Sequence, residues 1–138
     1  MVIKQISTFL ENETGRLADL TAVLAEAEIN LRAMSIADTT DFGIVRMVAD
    51  KPDEAVCALR EAGFTARVTD VIGALVDDQP GGLARLAALF RDHGIGIEYL
   101  YASLDRQQNR AVIILKVDDV ETGLNLLKKH EFATVSTL

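Results

Sequence analysis

One short stretch combines the residue types that could hold a small charged molecule, and it follows an apolar run over residues 71–76. Its sequence is Asp77-Asp78-Gln79-Pro80-Gly81-Gly82-Leu83. Pro80 presets one turn dihedral, and the two glycines allow a positive φ and a close approach of the backbone. An apolar-periodic run begins at Leu83, so the loop is predicted to end where a helix presents unpaired N–H groups and a partial positive charge. A carboxylate suits such a position.

The same pattern occurs in the first half of the chain, where Gly15 aligns with Gly81 and Leu17 with Leu83. Past the middle of each half the alignment shifts by two positions, so that Asp50 aligns with Asp118. Repeats decide architecture and are therefore sought first. Two copies of about 68 residues are too few and too long for a solenoid. They fit two small homologous domains, predicted over residues 1–69 and 70–138.

Composition excludes several classes of protein. Apolar residues make up 49% of the chain, which is ample for a core. The net charge of −7 divides as −4 over residues 1–69 and −3 over 70–138, which argues against binding nucleic acid. No apolar run approaches the length of a membrane span, so no span is expected. The N-terminus has no signal-peptide pattern, so no signal peptide is expected. With a single cysteine, the chain is predicted to be cytoplasmic.

Hydrophobic periodicity predicts the order βαββαβ in each half. In the first half the predicted strands cover residues 2–10, 32–38, 42–49 and 64–68, with helices over 17–27 and 52–62 and a polar hairpin loop over 39–41. In the second half the predicted strands cover residues 71–76, 97–104, 111–117 and 132–136, with helices over 83–92 and 120–130 and a polar loop over 105–110. This is an α+β pattern of two ferredoxin-like domains in tandem, each an antiparallel sheet with helices on one face.

The central strands are apolar on both alternating faces, at residues 44–45 and 112–115. A half-exposed strand would alternate apolar and polar residues. Because the helices cover one face only, the other is expected to pack against a sheet, a partner chain or the second domain. We therefore expect an oligomer, in the form of a homodimer.

Three other functions of this fold are disfavoured by the residues. An RNA-recognition domain needs exposed aromatic residues on its central strands, and residues 111–117 contain none. A metal chaperone needs paired thiolates in the first loop, and neither loop contains Cys or His. Acyl-phosphate hydrolysis would need a glycine-rich anion loop bearing arginine, whereas these loops are acidic.

Both halves resemble ACT domains, the small-molecule regulatory modules attached to many enzymes of amino-acid metabolism. Residues 12–17 with 29–31, and residues 78–83 with 95–97, are similar to the family pattern N/D-x-P-G-x-L … N-I. The resemblance covers essentially the whole chain, and the arrangement is similar to stand-alone tandem ACT proteins of bacteria. Thr14 stands where the pattern has Pro, and Gly96 where it has Asn. The two sites are thus expected to differ in ligand or affinity. Alternatively, each site is built from both copies of the domain, with Asn30 from one copy and Asp78 from the other.

The resemblance implies an amino-acid ligand at the loop between the first strand and first helix, at an interface between domains. Backbone N–H groups near the loop glycines would receive the carboxylate, and Asn12 or Asp78 would face the α-amino group. Asn30 would reach across from a neighbouring domain. The predicted ligand-binding residues are Asn12, Thr14, Gly15, Leu17, Asn30, Asp78, Gln79, Gly81, Gly82 and Leu83.

The remaining reactive residues do not form a catalytic set. Cys57 is expected to be a buried small hydrophobic residue, and His93 and His130, in the last turns of helices, to be structural. Adjacent carboxylates at Asp77 and Asp78 lack the further oxygen ligands of a cation site. We expect no catalysis, no cofactor and no metal. The predicted function is a non-catalytic amino-acid-binding regulatory or sensor protein; the alternative is a scaffold module with empty loops that recruits a partner enzyme of amino-acid or carboxylic-acid metabolism.

Overall fold

The computed structural model describes residues 1–38 and 41–138, so the predicted hairpin loop at 39–41 lies mostly outside the described residues. The elements, in chain order, are β1 (Ile3–Glu11), α1 (Arg16–Glu26), β2 (Leu31–Asp38), β3 (Phe42–Ala49), α2 (Pro52–Glu61), β4 (Arg67–Asp77), α3 (Gly82–Asp92), β5 (Ile97–Gln107), β6 (Arg110–Val117), α4 (Val120–Lys129) and β7 (Thr134–Val135). The predicted α+β content is confirmed. No helix in the described ranges is long and apolar enough to cross a membrane.

The chain divides into two compact units. One comprises Lys4–Thr69 together with Leu138, and the other comprises Asp70–Thr137 together with Met1–Ile3. In the first unit β3 pairs antiparallel with both β1 and β2, so that Thr8, Val45 and Ile36 stand side by side in one row. Its core is formed by residues of the sheet and of both helices: Ile6, Val45, Met47, Leu20, Leu24, Ala55 and Leu59.

The second unit contains a four-stranded antiparallel sheet in the order β5-β6-β4-β7. Its core joins Ile72, Leu115, Phe90 and Leu127, all fully buried. Burying a side chain of this size contributes roughly 1.5–3 kcal/mol relative to leaving it exposed. Gly73, the strand neighbour of Ile72, faces the other side of the sheet, where a Cβ would collide with side-chain atoms of Ile3 and Val135.

The second half departs from the predicted boundaries in three places. Instead of separate strands over 64–68 and 71–76 there is one continuous strand, β4. The predicted polar loop over 105–110 is a tight hairpin turn at Gln108 and Asn109, whose φ values are 51 and 60. Two successive positive φ values match the twist of a two-residue hairpin, so β5 and β6 extend up to the turn. β7 has only two residues.

Cys57 is exposed, so the prediction that it is buried is wrong. The buried residues of α2 are Ala55, Val56 and Leu59. Each residue turns a helix by about 100°, so Cys57 lies about 200° from both Ala55 and Leu59, on the solvent side. The apolar neighbours in sequence were therefore a poor guide to its environment.

Both faces of the central strand β6 are buried within the single chain. Val112, Ile113, Ile114 and Leu115 are each 6% exposed or less. Apolar residues on both faces therefore do not require a partner chain. The homodimer stays a prediction, without the support of this argument.

Candidate functional site

The two predicted ligand loops have the same backbone conformation. Gly15 precedes α1 with φ 91 and ψ −11, and Gly81 precedes α3 with φ 89 and ψ −8. Both glycines occupy the left-handed region, which a residue with a Cβ avoids. The alignment of Gly15 with Gly81, proposed from a degenerate motif, thus corresponds to one local structure built twice.

The hydrogen bonds of the loops also repeat, at equivalent positions of the two halves. In the first loop Glu13 N–H donates to Glu11 O (2.8 Å), Arg16 N–H to Glu13 O (3.3 Å) and Asp19 N–H to Gly15 O (2.9 Å). The equivalent bonds of the second loop run from Gln79 N–H to Asp77 O (2.9 Å), from Gly82 N–H to Gln79 O (3.1 Å) and from Arg85 N–H to Gly81 O (3.0 Å). Each turn folds back on its strand before the helix begins. Each loop is therefore held by hydrogen bonds of its own backbone.

The first turns of α1 and α3 leave backbone donors open. Neither helix has a side-chain cap, whereas Asp119 caps α4 by accepting from Thr122 N at 3.1 Å. Within the described ranges, the N–H groups of Leu17 and Leu83 meet no acceptor. Uncapped amides and the helix dipole together favour an anion.

One predicted donor is already engaged. Gly82 N–H donates to Gln79 O, which leaves the amides of Gly81 and Leu83 for a ligand. Gly82 is buried, and a Cβ at this position would collide with the carbonyl oxygen of Asp77. Its lack of a side chain is therefore needed for the close approach of strand and helix.

A polar groove of about 410 Å³ lies beside the second loop. It is lined by Asp77, Asp78, Gln79, Gln108, Asn109 and Arg110. The hairpin turn forms one wall, since Asp78 N–H donates to Asn109 O at 3.2 Å and Asp77 is paired with Arg110 across the sheet. The sequence predicted the loop side of this groove but not the hairpin side. Because antiparallel neighbours place the end of β4 beside the start of β6, the topology contained a signal for these residues.

The Asp78 carboxylate lies 3.2 Å from Arg106 Nη1, and the two side chains are 44% and 75% exposed. An exposed ion pair of this kind contributes at most about 1 kcal/mol. Arg106 is therefore held only weakly at Asp78.

In both loops a guanidinium group lies between a strand-end carboxylate and an aromatic ring. Arg16 contacts Glu11 Oε2 at 2.6 Å and lies 4.6 Å from the ring centre of Phe64. Hydrogen bonds and charge from Glu11, then from Asp19, raise the pKa of Arg16 above its ordinary value.

In the second loop Arg85 takes this place, 3.6 Å from Asp77 and 5.3 Å from the ring centre of Phe132. Arg16 is the first residue of α1, whereas Arg85 is the fourth residue of α3. The sequence alignment missed this equivalence, because the same contact is made from a different helical position. Both loops are thereby tied to the third residue after the second helix of their half, Phe64 or Phe132.

Asn30 lies at the far end of α1 from the loop of its own domain. The helix has 11 residues and a length of about 16 Å, so Asn30 cannot serve that same loop. Its N–H donates to Asp50 Oδ1 and its carbonyl accepts from Asp50 N, each at 3.0 Å. Gly96 and Asp118 repeat both bonds at 3.2 and 3.1 Å. The turn at Asn30 and the turn at Gly96 are therefore held by the same two hydrogen bonds to an aspartate, although only the first has the Asn of the family pattern.

Asn12 and Thr14 are exposed on the first loop, where Asn12 N–H donates to Asp41 O at 3.0 Å. No group of three or more His, Cys, Asp or Glu residues that could hold a metal occurs in the ranges that the structure describes. At the second loop the open backbone N–H of Leu83 suits an anionic group and the Asp78 carboxylate suits a cationic group, so the two together suit a zwitterion.

A family model described as an ACT domain pair matches residues 1–137. The crystal structure of protein BT0572 from Bacteroides thetaiotaomicron is similar with a TM-score of 0.91 and 37% identity, covering 98% of this chain and 92% of that one. The ligand-free regulatory subunit of aspartate kinase from Thermus thermophilus has a TM-score of 0.65 at 18% identity, covering 91% of each chain. The same subunit from Thermus flavus has a TM-score of 0.63 at 20% identity, covering 91% of this chain and 90% of that one. These two likenesses establish the fold alone. No curated protein sequence matches the chain significantly.

Proposed function

The chain belongs to the ACT domain pair family, and from this premise we propose that it is a non-catalytic regulatory protein that binds an amino acid at its strand–helix loops. ACT domains are regulatory ligand-binding modules. The observation that carries the choice of ligand is the pair of uncapped helix starts, each behind a left-handed glycine. A carboxylate is the group on a metabolite that such amides bind best.

The second loop is the stronger candidate for the site. The carboxylate of the ligand accepts from the N–H groups of Gly81 and Leu83, and its ammonium group takes the place of Arg106 on Asp78. Gln79 lines the same groove. In the first loop Asn12 offers an amide instead of a carboxylate, so we expect weaker attraction for the ammonium group there.

The remaining parts of the proposal come from the sequence. They are the domain boundaries at residues 1–69 and 70–138, the contribution of Asn30 from a neighbouring domain, and the homodimer. Regulation follows if the ligand binds one arrangement of domains better than another, since a ligand shifts an equilibrium only by its difference in affinity. Cytoplasmic localisation is part of the same expectation.

The alternative is an interaction module with empty loops, and two exposed aromatic residues favour it. Phe9 is 61% exposed and Phe42 is 52% exposed, on adjacent strands of the first unit. Such residues are common in surfaces that recruit a protein partner.

A thermal-shift screen of the twenty amino acids tests the proposal. A ligand at 100 times its dissociation constant stabilises the folded state by about 2.7 kcal/mol, a shift of several degrees. Leu83→Asp places a carboxylate beside the amides meant for the ligand, and Leu17→Asp is the matched change in the first loop. The two leucines are 43% and 39% exposed, so neither change removes a core residue.

We expect the shift to disappear in Leu83→Asp and to persist in Leu17→Asp. A shift that survives in both variants, each still folded, would refute the assignment of the loops. A flat screen with the unaltered protein would refute amino-acid binding and favour the interaction module.

A further inference from the structure

The only two histidines of the chain lie against each other, although they belong to different helices that are distant in sequence. His93 is the C-cap residue that directly follows α3, and His130 is the C-cap residue that directly follows α4. Their ring centres are 5.2 Å apart, with the ring planes at 67°. Both side chains are exposed. A pair of imidazoles that solvent reaches is available to a metal ion.

The hydrogen bonding of His93 leaves one nitrogen free. Its Nδ1 lies 2.9 Å from Leu89 O. A carbonyl oxygen only accepts, so Nδ1 carries the proton, and Nε2 of the neutral ring keeps its lone pair. Histidines that bind metals are oriented in this way by a hydrogen bond from the other ring nitrogen.

The separation of the rings is short enough for both to reach one ion. With metal–nitrogen bonds of about 2.1 Å and ring centres about 1.1 Å beyond each nitrogen, a tetrahedral angle places two ring centres about 5.2 Å apart. A right angle, as in cis square-planar coordination, would bring them to about 4.5 Å. The observed distance permits both rings to share one ion, and it is equally the distance of an edge-to-face contact between two rings.

The charges around the two histidines act in opposite directions. α3 and α4 both end at this point, and the carbonyl ends of helices carry partial negative charge. Lys128 and Lys129 in the last turn of α4 oppose this, and Asp92 is paired with Arg91 at 2.9 Å. An ion held by these two imidazoles would take its remaining ligands from water.

We propose that His93 and His130 together bind one divalent transition-metal ion that prefers imidazole and tetrahedral geometry, of the Zn²⁺ type. This site is separate from the amino-acid loop. α3 begins at that loop and ends directly before His93, so about 16 Å of helix lies between them. The proposal stands whether or not the loops bind an amino acid.

Calorimetric titration of the full chain with ZnCl₂ tests it. We expect one Zn²⁺ per chain, no binding of Mg²⁺, and an affinity lowered at least about tenfold in His93→Gln and in His130→Gln. Cys57→Ser is the matched control. Cys57 is the other residue type that Zn²⁺ favours, and it lies in the other unit, so this variant should bind as the unaltered protein does.

Histidine signals in the proton NMR spectrum give a second readout. Both rings should shift together and saturate at one equivalent of Zn²⁺. Absence of Zn²⁺ binding in the unaltered protein would overturn the proposal, as would binding unchanged in either histidine variant. Loss of binding in Cys57→Ser would assign the ion to another place.

Discussion

Gly81→Ala is expected to destabilise the protein by about 1 kcal/mol through the backbone alone. A Cβ at Gly81 would have no atom within 4 Å, so the change meets no steric obstacle. The φ of 89, however, costs an L-residue roughly 1–2 kcal/mol. Restricting the unfolded chain offsets about 0.4–1 kcal/mol of this. The difference between the two terms is the expected loss.

Three matched variants separate this cause from others. Gly15→Ala should lose the same amount, because its φ is 91 and its surroundings are equally open. Gly96 lies outside the left-handed region, and its Cβ would meet Asp118 Oδ2, the acceptor of the Gly96 N–H, at 3.2 Å. This contact needs a shift of only a few tenths of an ångström, so Gly96→Ala should stay within about 0.5 kcal/mol. Gly82→Ala should lose more, on the order of 1–3 kcal/mol, because backbone at Asp77 obstructs it.

Urea unfolding followed by circular dichroism measures the series. With a slope of about 1–3 kcal/mol per molar urea, a loss of about 1 kcal/mol moves the midpoint by about 0.3–1 M. Midpoints for Gly15→Ala and Gly81→Ala equal to that of Gly96→Ala would refute the role assigned to the positive φ. A Gly82→Ala variant that is the least harmful of the four would refute the close approach of strand and helix.

Two further predictions concern titratable groups. Hydrogen bonds from Thr122 hold the pKa of Asp119 below its ordinary value, so its cap contributes fully above about pH 3.9 and is lost as the pH falls through the folded pKa. Asp119→Asn should therefore be less stable than the unaltered protein at pH 6, with a gap that narrows at pH 3 in urea unfolding; a constant gap would contradict this. A hydrogen bond with Glu61, then its charge, raises the pKa of the Cys57 thiol. Glu61→Gln should speed alkylation by iodoacetamide at pH 8 several-fold, because more thiolate forms, and equal rates would refute the contact.

The local features of the fold could be predicted from the sequence. The helix starts behind Gly15 and Gly81, the first-turn proline of α2 and the span of β3 all follow from residues that are close together in the chain. Left-handed glycines, Pro52 and apolar periodicity act through backbone sterics and local burial. The repeat gave each motif a second, independent occurrence, which made weak local signals agree.

Features that join distant parts of the chain could not be predicted in this way. The merging of two expected strands into β4, and the extension of β5 to the turn at Gln108, depend on partners that the strand finds across the sheet. Strand limits are set by pairing and burial more than by intrinsic preference. The exposure of Cys57 is likewise decided by which side of α2 faces the core.

The candidate sites divide along the same line. The sequence by itself determined that two glycine loops precede two helices, because turn geometry is written in adjacent residues. Only the tertiary structure brought Arg106 and the hairpin turn to Asp78, placed Arg16 and Arg85 on equivalent aromatic rings, and set His93 against His130. These contacts join residues that are far apart in sequence. Their meeting depends on how strands pair and helices pack, which no local pattern encodes.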